Sequence, residues 1–195
     1  MKLTYLLLLS AAIMAAVSCT TITAETDTQT KIKQGVPGGE VVQTTRINAT
    51  VTAIDTARRK VSLITRQGEK FSVIADPEVD NFDQIHIGDQ LKVTYTEKVI
   101  ARMAKPGEKT EDVGEAEFDM APRGSKPAMM TSETYQVTAT VIAIDHKKRK
   151  ATLRFPDGTS KKFDVRNDVD LGRHKVGDRV VIRTTETFAM KMEIP

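Results

Sequence analysis

Ile47, Ala49, Val51 and Ala53 alternate with Asn48, Thr50, Thr52 and Ile54, the two-residue period of a strand with one face buried. A polar turn follows at 55–59. The next apolar run, 60–65, predicts a second strand, and Phe71, Val73 and Ala75 mark one face of a third. Residues 76–87, which include Pro77, predict a loop with a helical turn. Gly88-Asp89 then turns the chain into Leu91, Val93 and Tyr95, the start of a long strand running toward Met103.

The same series is written twice. ATVTAID at 49–55 returns as ATVIAID at 139–145 with six of seven letters unchanged, the mark of a duplicated unit. Val137, Ala139, Val141 and Ala143 alternate as before; Ala151, Leu153 and Phe155 follow, then Phe163 and Val165. Gly177-Asp178 answers Gly88-Asp89, and Thr185-Glu186 answers Thr96-Glu97. Four or five short strands with a helical turn before the last predict an all-β chain of two tandem small barrels, OB-like or SH3-like. Small residues at Ala49, Ala53, Ala139 and Ala143 would suit a narrow interior. On this reading residues 45–103 and 135–195 are the barrels. Residues 104–134, rich in Pro and Gly and acidic in the middle, are a long linker, with one short ordered piece near Phe118 and Met120, that favours two domains over one. Residues 19–44, polar and Thr-rich with Gly35, Pro37, Gly38 and Gly39, read as a flexible tether.

Residues 1–18 carry Lys2 and then an uncharged apolar run, shorter than the ~20 residues of a membrane-spanning helix, so a signal peptide is expected. Its end, Ala16-Val17-Ser18-Cys19, resembles the bacterial lipobox, although Leu is commoner where Ala16 stands. That resemblance implies a diacylglyceryl group on the Cys19 thiol and cleavage just before it. Thr20 after it implies the outer membrane, facing the periplasm. Cys19 is the chain's one cysteine and has no disulfide partner. An ordinary secretory signal with an accidental cysteine is the alternative.

ATVTAID with its basic turn, NFDQIHIGD at 81–89, VTYTE at 93–97 and the connector Ala121-Pro122-Arg123-Gly124-Ser125-Lys126-Pro127 together resemble a family of uncharacterised exported bacterial envelope proteins, whose second repeat follows an APxGxKP-type connector. The resemblance spans most of 45–195 and implies export and tandem small barrels, with no assigned activity. The second copy departs from the pattern at 166–176.

Composition adds limits. With 39% hydrophobic and 5% aromatic residues, two modest cores fit better than one large one. The net charge of +3 is no nucleic-acid footprint. Charge is uneven, however: 46–103 carries nine Lys/Arg and eight Asp/Glu (+1), 104–134 four and seven (−3), and 135–195 thirteen and eight (+5). An anionic envelope polymer or an envelope protein would therefore meet the second barrel first. The runs ARRK at 57–60 and KKRK at 147–150 read as solvated hairpin turns.

No catalytic set assembles: His86, His146 and His174 fall at unrelated places. Glu97 and Glu186 are weak binding candidates, in phase with the apolar face of their strands, but separate barrels would keep them apart. No cofactor is implied. Soft thioethers suit Cu(I) or Ag(I), and Met190 and Met192 share a strand face, with Met103 ending the equivalent strand. Copper and silver chaperones of the periplasm are small OB barrels too, but they use a His and a Trp, and this chain has no Trp; methionine as core filler is the better account. The expected function is a non-catalytic binding or scaffolding module, lipid-anchored in the envelope, with a soft-metal binding protein as runner-up.

Overall fold

The computed structural model describes residues 22–77 and 79–195; Cys19 and the signal segment lie outside them. Ten strands run β1 (Glu25–Lys31), β2 (Gly38–Asp55), β3 (Lys60–Thr65), β4 (Lys70–Ile74), β5 (Gln90–Met103), β6 (Val113–Met120), β7 (Ala128–Asp145), β8 (Lys150–Arg154), β9 (Ser160–Asp164) and β10 (Arg179–Glu193). Single 3-10 turns at Phe82–Gln84 and Leu171–Arg173 are the helical element expected before each Gly-Asp turn. Among the described residues there is no α-helix, so the all-β reading holds.

The strands do not separate into two closed barrels. They form one open antiparallel sheet in the order β4-β3-β2-β5-β10-β7-β8-β9, with β1 added to β2 and β6 to β7. The physical reason lies in β5 and β10. Each is far longer than a small barrel needs, and the surplus presents an unpaired edge. As copies of one sequence they pair antiparallel along their whole length, Gln90↔Glu193 to Met103↔Val180. Self-pairing of equivalent strands must centre on equivalent residues, and it centres on Glu97↔Glu186. A pseudo-twofold axis passes there.

The expected tether and linker are also largely strand. β1, β6 and the first halves of β2 and β7 form two hairpin arms on the sheet. Each arm's loop docks on the other repeat. In the 121–127 loop, the Asn81 amide donates to the carbonyl oxygens of Ala121 and Pro122 (3.3 and 3.0 Å) and its Oδ1 accepts from the Gly124 N–H (3.1 Å). Arg123 pairs with Asp80 at 3.0 Å, and Lys126 reaches the buried Asp89 carboxylate and the Gln84 carbonyl. The two motifs NFDQIHIGD and APRGSKP are thus two sides of one contact. Across the axis, Arg166 donates to the carbonyls of Lys33, Val36 and Gly38, and Asp168 accepts from the Gly35 N–H at 2.8 Å. Gly38 begins β2 where a Cβ would stand 2.0 Å from the Ala101 carbonyl oxygen, at φ +88°, so only glycine fits.

At opposite ends the sheet curls into two lobes. The first buries Ala49, Val51, Val61, Leu63, Phe82, Ile85 and Leu91; the second buries Ala139, Val141 and Leu153. Equivalent bonds tie each Gly-Asp turn to its lobe: Val51 N–H to the Asp89 carbonyl and Val141 N–H to that of Asp178. A bulge falls between Val51 and Ala53, and another between Val141 and Ala143. The extra residue reverses the alternation, so Ala53 and Ala143 are exposed while Ile54 and Ile144 pack on the cores. Only Ala49 and Ala139 of the four expected inward alanines point in. The basic turns are also more than solvated. Arg59 and Arg149 take φ near +50°, and their guanidinium groups tie down the next loop, Arg59 at the Asp76 and Val79 carbonyls and Arg149 at those of Arg166 and Val169.

Candidate functional site

Residues directly opposite on neighbouring strands share a face, so the ladder registers say what the middle of the sheet presents. The face that carries both cores (the front) has at its centre the row Gln43–Glu97–Glu186–Glu133, one residue from each of β2, β5, β10 and β7. Beside it run Thr45–Tyr95–Phe188–Thr131, extended by Phe118 on β6, and on the other side Val41–Val99–Thr184–Tyr135. From β1 to β6 no strand position on this face is Lys, Arg or His. Its only charges are the three glutamates.

Carboxylates set directly opposite one another repel. Among the described residues, none of Glu97, Glu133 and Glu186 has an ion-pair partner. Two have tyrosines: the Tyr135 hydroxyl donates to Glu133 Oε2 at 2.7 Å, and Tyr95 bonds Glu186. Burial first, then the Glu186 carboxylate, with the charge of Glu97 behind it, push the Tyr95 hydroxyl up to about 12. The bond to Glu133 raises Tyr135. Phe118 and Val41 are exposed, and Tyr95, whose hydroxyl is partly covered, is still 38% exposed. An apolar plane with a bare anionic stripe suits a cation on an apolar carrier, held by charge and by aromatic faces.

Glu97 and Glu186 were expected in separate barrels; pairing of β5 with β10 makes them direct neighbours. Glu133 and Phe188 escape sequence reading because the linker reading covers one and nothing links the other to it. The signal that could have found the row was the equivalence of Thr96-Glu97 and Thr185-Glu186 itself. Cys19 lies outside the described residues. Of the methionines, Met190 faces Met129 and Met129 faces Met120 across adjacent strands, and Met190 and Met192 both pack on the first core. Met103 faces Val180, ten residues and about 33 Å along β5 from the Met190 position, so it is not brought to them. The histidines serve loops: His86 Nδ1 lies 3.0 Å from Lys126 Nζ, and His174 3.5 Å from Asp178. Among the described residues no group of three or more His, Cys, Asp or Glu could hold a metal ion.

No known protein family, curated protein or solved structure matches this chain.

Proposed function

We propose that the protein is a non-catalytic binding module of the bacterial envelope, anchored through a lipid on Cys19 at the outer membrane and facing the periplasm. It presents the front of its sheet to a protein partner that supplies a cation. The observation that supports this is the Glu97–Glu186–Glu133 row, three like charges in register on an apolar face without a compensating cation. The repeats that sequence marks as OB-like act here as the two ends of one platform rather than as independent binders. Site-specific photo-crosslinking from Phe188 in cells tests the reading. The expected adduct disappears when Glu97 and Glu186 are both changed to Gln. An adduct indifferent to those changes, or none, counts against it. A second measurement, the mass of the mature N-terminus, tests the anchor; an unmodified Cys19 thiol removes that part alone.

The soft-metal reading has one observation behind it, the thioether row Met120–Met129–Met190. Cu(I) titration of the protein, with Met129 and Met190 changed to Leu as control, decides it: without saturable binding it lapses.

A further inference from the structure

The reverse side of the sheet differs between the lobes in one place. In the second lobe the hollow behind β7 and β10 is filled by the chain's own residues 104–112. Arg102 holds the Glu108 carboxylate with two bonds of 2.9 and 2.6 Å. Arg179 bonds the Glu108 carbonyl and Thr110, and Asp112 accepts from the Thr138 N–H. Val181, on the same face of β10, is 2% exposed. The pseudo-twofold axis carries this hollow onto the first lobe, where Lys191 takes the place of Arg102, Gln90 that of Arg179 and Lys92 that of Val181.

There the hollow is an open cleft of about 820 Å³. Its floor is two ladder rows, Met130–Ala189–Thr94–Arg46 and Ala128–Lys191–Lys92–Asn48, and small Ala189, Thr94 and Ala128 give it depth. Arg46, Arg66, Lys92 and Lys191 line it with Asp119, and Glu25 stands opposite Arg46 in the β1–β2 ladder. Glu193 engages both lysines. Arg46 and Arg66 have no hydrogen-bond or ion-pair partner among the described residues. One hollow thus holds an anion, and its counterpart holds two arginines without a partner, two lysines paired with Glu193, and apolar side chains.

We propose that this cleft binds the anionic headgroup of a membrane phospholipid, with Arg46 and Arg66 on the phosphate and Met130 beside the glycerol and first methylenes. The location favours a lipid over another anion. The Thr23 N–H and hydroxyl both donate to the Glu69 carboxylate, three bonds in all, in the turn that carries Arg66. Cys19 precedes Thr23 by four residues, at most about 14 Å of chain. If the thiol is acylated, the cleft stands within reach of the headgroup layer; this location argument rests on the anchor proposed above, whereas the cleft's chemistry does not.

The test uses the full chain labelled with 13C at its methionine methyls and four soluble probes: dihexanoyl phosphatidylglycerol, dihexanoyl phosphatidylcholine, glycerol 3-phosphate, and a nine-residue peptide with the sequence of 104–112. The expected result is a saturable shift of Met130 but not Met103 with phosphatidylglycerol, at least about tenfold weaker with phosphatidylcholine and with glycerol 3-phosphate. Changing Arg46 and Arg66 to Gln weakens phosphatidylglycerol binding about tenfold, a loss of two charge-assisted contacts, while the methionine spectrum of the free protein is unchanged. Arg183→Gln, on the same side but in the second lobe, leaves binding as it was. Equal binding of the two lipids, equal binding of glycerol 3-phosphate, an unaffected double variant, or binding of the peptide without the lipid overturns the proposal. None of these readings depends on acylation, which mass spectrometry of Cys19 settles separately.

Discussion

The two lobes share a strand order and are held together from different sides. The first has seven buried core residues on the front of the sheet. The loop docked on it is locked by a buried ion pair, Lys126 with Asp89, whose carboxylate is 4% exposed. The second buries Ala139, Val141 and Leu153 together in front, with Val169 and Leu171 buried in the loop before β10; its arm contact is made by part-exposed Arg166 and Asp168, and on its back Arg102 and Arg179 hold the segment 104–112. Duplicating a chain segment fixes its backbone course; it leaves free where each copy finds its stability. Here one copy relies on packing and a buried charge pair, the other on solvent-facing charge and a borrowed segment.

That contrast is breakable, and the largest effect should come from Asp89. Asp89→Ala strands Lys126 and unties the His86 N–H, and a loss of about 3–5 kcal/mol is expected by urea denaturation. Asp178→Ala, the equivalent change, removes an exposed turn contact to the Lys175 N–H and should cost about 1 kcal/mol. Equal costs would mean that the lobes are not held as described.

Next in size, Leu63→Ala empties a site 1% exposed and should cost about 2–5 kcal/mol. Hydrogen exchange should then show protection lost first in β3 and β4, with β8 and β9 little changed.

Acid sharpens the same comparison. The side-chain bond from Arg166 holds Asp168 at about 2, and the bond from Arg102 holds Glu108 at about 2, against ordinary values of 3.8 and 4.5. Both are depressed, so their stabilisation is complete above about pH 4.5 and fades as pH falls toward 2. In that window amides of 33–38 and 104–112 should exchange faster before those of β2 and β3. Smallest is a spectroscopic effect: in an ultraviolet absorbance titration Glu186→Gln should lower the Tyr95 value from about 12 while burial, the larger cause, still holds it above the ordinary 10, leaving the fold intact.

Much of each lobe was legible because a buried face enforces alternation: β3, β4, the 3-10 turn and the start of β5 stand where Val61, Leu63, Phe71 and Leu91 put them. The arms were not. In ETDTQTK and in GEVVQTTR polar residues occupy both faces, so no apolar stripe marks a strand, although Thr favours one. Ala53 and Ala143 were misplaced because a bulge leaves no trace in composition. The glutamate row stayed hidden for a third reason: pairing between β5 and β10 joins Glu97 to Glu186, 89 positions apart, and only the duplication hinted at it, by making the two equivalents that a self-paired strand must bring together.

One pair of residues therefore carries the account. In a Cys19→Ser background, Glu97→Cys combined with Glu186→Cys places two thiols opposite each other on adjacent strands, with Cα atoms about 4.5–5.5 Å apart. Mild oxidation should give a rapid and nearly complete intramolecular cross-link, detected as a loss of free thiol in the monomer. Two thiols that react freely with a maleimide yet never join would mean separate domains, and would contradict a single sheet with its glutamates in one row.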